Sequence, residues 1–376
     1  MRSKKRILLV LIIALLILAG CNKSNQEPGQ VIQTDTPETS YPAPVITEPQ
    51  TNGYPVWNEE PTIENAYPAP NQTDTPSVDE SKFMDLISEF PLEEPARVAW
   101  CSDQSCIAII GYDYIKTLSF PEFGELFNYQ LVENESLLDV SPDGKTYAIT
   151  TNNEDLIIRN WESLTEIIIP TEIFFMSAEF SPDGTKIIVT DTEKWEALLF
   201  DVESGAQVAK LTGFETAAPV YNVHFGQSND YAIWIARGTI QTSEIATNQL
   251  FPAIFHEDFI LGFDLDAGGT YLVTSAAEMV NDEYSPTVFI YGFKSGVLIQ
   301  KFNTQEPVYD IHFSPDSTKL IISLGNSISL YDLASQQLIN QDVSETENIS
   351  QVLFSPDGKL IMSSDDGLNV KFFKLN

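Results

Sequence analysis

Cations are what this sequence has least of. It carries 20 Lys and Arg against 54 Asp and Glu, a formal net charge of −34 over 376 residues, and three histidines. Four of the basic residues, Arg2, Lys4, Lys5 and Arg6, stand at the very start, so the remainder is more acidic still. A surface of that sign repels phosphate backbones and anionic headgroups, which excludes nucleic-acid binding. It suits solubility, cation binding or a basic protein partner. Catalytic signatures are missing too: no G-x-S-x-G, H-E-x-x-H or P-loop pattern occurs. With so many carboxylates two will meet by chance, so an acid–base dyad is not legible, and no cofactor or metal is called for. Cysteine is limited to three residues. A hydrophobic content of 43% is nevertheless enough for a packed core, in one large domain or two small ones.

The first 21 residues, MRSKKRILLVLIIALLILAGC, join a basic start to the apolar run Ile7–Ala19. That run is too short for a comfortable membrane span of ~20 residues and right for the apolar region of a secretory signal. It ends in Leu18-Ala19-Gly20-Cys21, which resembles the lipobox of bacterial lipoproteins. The resemblance implies a signal peptide over 1–20 and a lipidated Cys21, with palmitate-type acyl chains on the new terminus. Several chains at ~0.8 kcal/mol per buried CH₂ make a stable membrane anchor where one would be marginal. It also implies a place in the bacterial cell envelope, outside the cytoplasm. From Cys21 to about residue 80 the composition turns to Pro, Thr, Gln and Asn, and YPAP occurs at 41–44 and 67–70. No hydrophobic period is visible, so 21–80 reads as a disordered, partly polyproline stalk, a spacer rather than a PxxP ligand. About 60 residues span on the order of 45 Å as a coil and ~180 Å as extended polyproline, either of which lifts a domain clear of a membrane.

After residue 80 the sequence repeats. EFSPDGTKIIVT (179–190), HFSPDSTKLIIS (312–323), LFSPDGKLIMSS (353–364) and DVSPDGKTYAIT (139–150) are the clear copies. AWCSDQSCIAII (99–110), HFGQSNDYAIWI (224–235) and GFDLDAGGTYLV (262–273) follow once the frame is known. Anchors at Trp100, Val140, Phe180, Phe225, Phe263, Phe313 and Phe354 give spacings of 40, 40, 45, 38, 50 and 41. Each unit runs an apolar strand into Ser-Pro-Asp-Gly, where Pro fixes φ, Asp bonds back to the backbone and Gly takes the positive φ. Two further strands and an outer one follow. No unit can bury both faces alone, so the period predicts an all-β, seven-bladed β-propeller over 81–376.

The units resemble WD repeats. The slots matching that family's Trp-Asp pair hold Trp161-Glu162, Phe200-Asp201, Tyr331-Asp332 and Phe373-Lys374, while its Gly-His pair is missing, the nearest approach being Gly213-Phe214. The resemblance covers about 82–376 and implies fold more than function. It also implies how the ring closes. The chain ends on the apolar strand LNVKFFKLN (368–376), whose free edge would be an aggregation hazard. Such rings close by taking strands of one blade from both chain ends, so KFMDLISEF, Lys82 to Phe90, is expected to pair with it.

Candidate sites are few. Cys101 and Cys106 bracket the four-residue turn SDQS; on a hairpin such residues face each other at Cα separations of ~4.5–5.5 Å, within disulfide range. In an exported protein they should be bonded; a redox pair would need a helix start or a nearby cation. His224 and His312 hold the same slot in blades 4 and 6, roughly 10 Å or more apart, too far to share a zinc ion, and read as core or channel-lining residues. FDLDAGG (263–269) faintly resembles a calcium loop but lacks the later Glu and sits where a turn belongs. Blade 5 carries the insertion AAEMVNDEYSP (276–286) between its second and third strands, and TGFETAAP (212–219) leads into blade 4. Both open on the face opposite the Ser-Pro-Asp-Gly turns, on neighbouring blades. Phe214, Met279, Asp282, Glu283 and Tyr284 are therefore the candidate contact residues, although loop variation without function explains the same insertions.

The resulting expectation is a membrane-anchored extracytoplasmic propeller without catalysis, a scaffold that binds a protein, a ligand or an envelope component. The competing expectation is a lactonase-like hydrolase with its site in the central channel, as seven-bladed propellers also host.

Overall fold

The repeat units become seven separate sheets, each built on four antiparallel strands that follow one another in the chain except for the outer strand of blade 7. The computed structural model describes residues 78–79 and 83–376, apart from 152–154, 172–174, 192–195, 213–221, 237, 281–282, 305, 343–346 and 367. Cys21, the signal region and all but the last residues of the stalk lie outside the described residues. Blade 1 shows the plan: Arg97–Trp100 innermost, then Cys106–Ile110, Tyr114–Ser119 and Glu125–Gln130. The architecture is the seven-bladed β-propeller that the period requires.

The alternation of each strand explains why the sheets stack into a ring. Ile187 and Val189 pack towards blade 2, whereas Ile188 between them packs towards blade 4. Seven apolar clusters result, each wedged between two neighbouring blades, and the second strand of a blade is buried on both faces. At roughly 25 cal/mol per Å² of buried apolar surface, these wedges are the main force holding blade to blade.

The turns follow the chemistry read from their sequence. Gly144, Gly184 and Gly358 take φ of 69°, 71° and 70°. Asp143 Oδ1 accepts from the Lys145 N–H at 2.9 Å, and the Ser141 hydroxyl from the Thr146 N–H at 3.0 Å. In blade 6 Ser317 stands in the glycine position at φ 58°. Blade 5 moves the reading frame by two residues. There Asp266 makes the turn bonds that Ser141 makes in blade 2: its N–H donates to the Tyr271 carbonyl and its carbonyl accepts from Gly269. The anchor is therefore Leu265, 1% exposed, and not Phe263. The Asp266 carboxylate accepts from the N–H groups of Gly268, Thr270 and Tyr271, which makes FDLDAGG a turn. Blade 2 shifts by one residue: Asn160 pairs with Thr146 as Asp201 pairs with Lys186, so Arg159-Asn160 fills the slot assigned to Trp161-Glu162.

Closure works as the sequence implies. Met84–Pro91 pairs antiparallel with Asn369–Leu375, from Met84↔Leu375 to Pro91↔Asn369, and completes blade 7. The Asn376 N–H donates to the Phe83 carbonyl at 2.9 Å, and Met84 is fully buried between blades 6 and 7. The chain engages the ring earlier than composition indicates. Val78–Asp79, within the segment read as stalk, pairs parallel with Gln337–Asp342 as a fifth strand on blade 6.

Candidate functional site

Two polar or apolar assemblies stand apart from the wedge packing. The first lines the central channel. The residue before the anchor in blades 2 to 6 is Asp139, Glu179, His224, Asp264 and His312. Their hydrogen bonds run from blade to blade. Arg97 of blade 1 pairs with Asp139, whose other oxygen accepts from the Phe180 N–H of blade 3 at 2.8 Å. Glu179 Oε2 lies 2.8 Å from His224 Nδ1, and Gln227 donates to Asp264 at 2.7 Å. Asp264 also accepts from the Phe313 N–H at 2.8 Å, Asp310 from the Val352 N–H at 2.6 Å, and Gln351 from the Val98 N–H at 3.0 Å. All seven blade junctions are thus clasped at the inner rim.

The electrostatics of the clasps follow from burial and pairing. Burial pushes the Asp139 carboxyl up, against the pull of Arg97. Burial also works against a charge on His312, but Asp310 at 3.0 Å and Asp264 at 3.7 Å outweigh it and hold the imidazole well above its usual 6.5. His224 and His312 do not meet. Among the described residues no group of three His, Cys, Asp or Glu side chains is arranged to hold a metal ion. A cavity of about 220 Å³ opens beside Arg97, Asp139 and Glu179, below the ~300–1,000 Å³ of ordinary ligand pockets. The channel groups are occupied in holding blades together.

The second assembly is on the face opposite the Ser-Pro-Asp-Gly turns. The blade-5 insertion is not a loop: Tyr271–Val280 and Glu283–Gly292 are ten-residue strands paired as far as Val280↔Glu283. Their counterparts in blade 2 have six residues each. Four extra residues at ~3.4 Å each extend this hairpin by about 14 Å. Its base is braced by the third and fourth strands. Lys301 Nζ lies 2.6 and 2.9 Å from the Glu278 oxygens, Asn303 donates to the Ser285 hydroxyl at 2.9 Å, and the Thr304 N–H donates to the Pro286 carbonyl at 2.9 Å.

On this arm Met279 and Tyr284 are direct cross-strand partners and both are exposed. Glu283 pairs with Val280 in the ladder; Phe214 and Asp282 lie outside the described residues. Further apolar side chains gather at the same end of the sheets. Phe255, Tyr284 and Tyr309 are 72%, 67% and 63% exposed, and Phe259 and Leu261 are exposed beside them in the chain. Phe255 pairs with Thr239 at the arm-side end of blade 4, Leu261 is the second residue of the innermost strand of blade 5, and Tyr309 precedes that of blade 6. A Cβ on Gly262 would stand 3.2 Å from the Tyr309 carbonyl, so the last two segments touch.

This group of exposed apolar side chains, the shelf, is fixed at Phe255 by its neighbour His256, a residue that the sequence does not single out. The His256 N–H donates to the Gly238 carbonyl at 2.7 Å, and its ring reaches Thr274 Oγ1 at 3.0 Å and packs 4.7 Å from Phe289. Gly238 is needed for this approach, since a Cβ there would come within 2.5 Å of the His256 carbonyl. Burial lowers the His256 pKa from 6.5 to about 4, with Glu278 pulling weakly the other way. The imidazole is neutral at pH 7. Phe259 and Tyr309 fall in connections, and Phe255 and Leu261 at strand ends, with no period to mark them; their only signal is large apolar side chains in segments that should be polar.

The disulfide joins Cys101 and Cys106 at a Cα separation of 5.2 Å, on the turn face. It packs against blade 2, where a Cβ on Gly144 would meet Cys101 Sγ at 2.7 Å. No protein-family model matches the chain, and no curated protein matches it either.

Proposed function

We propose that the protein is a lipid-anchored recognition module, a WD-repeat-like propeller held outside the cytoplasm by Cys21 and a Pro/Thr-rich spacer, that binds a partner protein on the face of the blade-5 arm. The observation that carries this reading is the arm itself. A rigid ring extends one hairpin that exposes Met279 and Tyr284, and exposes four more apolar side chains, Phe255, Phe259, Leu261 and Tyr309, at the same end of its sheets, where a monomer gains nothing from leaving them in water. The lipobox-like LAGC supports the anchor, and the disulfide is of a kind that exported proteins keep. The alternative, a hydrolase in the channel, finds its polar side chains already bonded to neighbouring blades. The test is capture from the protein's own membranes after mild crosslinking. The full-length chain is compared with a variant in which residues 278–285 are replaced by Asn-Gly, a two-residue hairpin turn. Partners that vanish with the arm support the reading. An unchanged set of partners, or none with either chain, overturns it.

A further inference from the structure

The reading just given leaves the partner's chemistry open, and the charge around the shelf narrows it. The exposed apolar side chains come from three stretches of sequence, 251–261, 277–286 and 303–310. Together they hold seven acidic residues and not one lysine or arginine. Two of the seven are neutralised within the fold, Glu278 by Lys301 and Asp310 by His312. Glu257, Asp258 and Glu306 form no ion pair among the described residues. Both Glu257, between Phe255 and Phe259 in the chain, and Glu306, three residues before Tyr309, are exposed. His256 is held neutral and contributes no opposing charge at pH 7.

We infer that the segment docking on this shelf is cationic and amphipathic, a Lys- or Arg-bearing stretch of a partner protein whose apolar side chains pack on Met279 and Tyr284. Exposed Phe and Tyr faces attract ammonium and guanidinium groups within ~6 Å of the ring centre, and more strongly once water is excluded. Uncompensated carboxylates around them add steering that decays over a Debye length of ~8 Å at physiological salt. The same charges disfavour the other occupants. In a twofold self-association each acidic rim would face its own copy. An anionic lipid or nucleic acid would be repelled. A neutral glycan strand could stack on the rings, but its binding would ignore salt.

This inference rests on the proposed docking face, and the test separates the two. Full-length protein in detergent is titrated with a fluorescent lysine–leucine amphipathic peptide and with its glutamate–leucine counterpart, at about 50 and about 500 mM NaCl. The lysine peptide is expected to bind, the glutamate peptide not, and high salt to weaken binding by roughly tenfold or more. Because the whole protein is acidic, local variants decide whether the shelf is the site. Glu257→Gln with Glu306→Gln, and separately Phe255→Ser with Tyr284→Ser, should each weaken binding by about tenfold. Equal binding of both peptides, or lysine-peptide binding unchanged in both variants, overturns the cationic assignment. If that happens while arm-dependent partners are still captured from membranes, the docking face stands and only the partner's chemistry falls. If the arm-shortened chain captures the same partners, the docking face falls as well.

Discussion

Acidification should weaken this protein through His256 by an amount that can be worked out. The ring is packed on Phe289 and bonded to Thr274, and burial holds its pKa at about 4 against 6.5 when unfolded. The folded value is the lower one, so between 6.5 and 4 the unfolded chain binds the proton more readily. The stability contributed by neutral His256 is therefore complete above about pH 6.5 and is lost as pH falls towards 4. A shift of ~2.5 units at 1.36 kcal/mol each corresponds to about 3 kcal/mol in full, and about 2.5 kcal/mol of it is gone by about pH 4.5. Other groups titrate in the same range, so the comparison must be with His256→Gln, which cannot titrate. Urea unfolding of both proteins, followed by tryptophan fluorescence at about pH 7 and about pH 4.5, gives the difference. The variant is expected to be the less stable protein at pH 7, and the gap to narrow by about 2.5 kcal/mol at pH 4.5. An identical gap at both pH values would show that His256 is not held neutral, and what fixes the shelf at Phe255 would have to be reassigned.

Three further outcomes follow from the fold. Met84→Ala removes a fully buried side chain from the closing strand and should cost roughly 2–5 kcal/mol, whereas Leu86→Ala, exposed on the same strand, should stay within about 0.5 kcal/mol in denaturant unfolding. Ser317→Gly relieves a positive φ of 58° in the blade-6 turn and should stabilise by about 1 kcal/mol, a rise in thermal midpoint of about 2 °C. His312→Gln removes a cation whose folded pKa is raised. Its contribution is complete below about pH 6.5 and is lost as pH rises through the folded value, so the variant's deficit should be larger at about pH 6 than at about pH 9.5.

The ring was legible because each blade repeats a turn with its own physics. Ser-Pro-Asp-Gly dictates a tight reversal, the apolar runs on both sides dictate doubly buried strands, and an unpaired terminal edge demands a closing strand. Blade 5 misled the reading because Asp-Ala-Gly-Gly replaces that turn, and Phe263, two residues early, has the look of an anchor. The channel clasps were half visible. The two histidines drew notice in their shared slot, but the same slot read through every blade would have shown Asp139, Glu179 and Asp264 beside them. The arm is visible in the sequence as extra length and not as strand, because its extra strand residues, AEMV and EYSP, alternate poorly. The shelf was not legible at all: which irregular connections end side by side is decided by the ring's closure, and no local pattern carries that.

The central claim is that partners meet the face bearing the blade-5 arm. A photo-crosslinking residue placed at Tyr284, at Phe255 or, on the opposite face, at Thr185 in the full-length chain tests it directly in native membranes. Adducts to the same partner from Tyr284 and Phe255, and none from Thr185, are the expected result. Adducts from Thr185 alone would put the interface on the turn face and contradict the account.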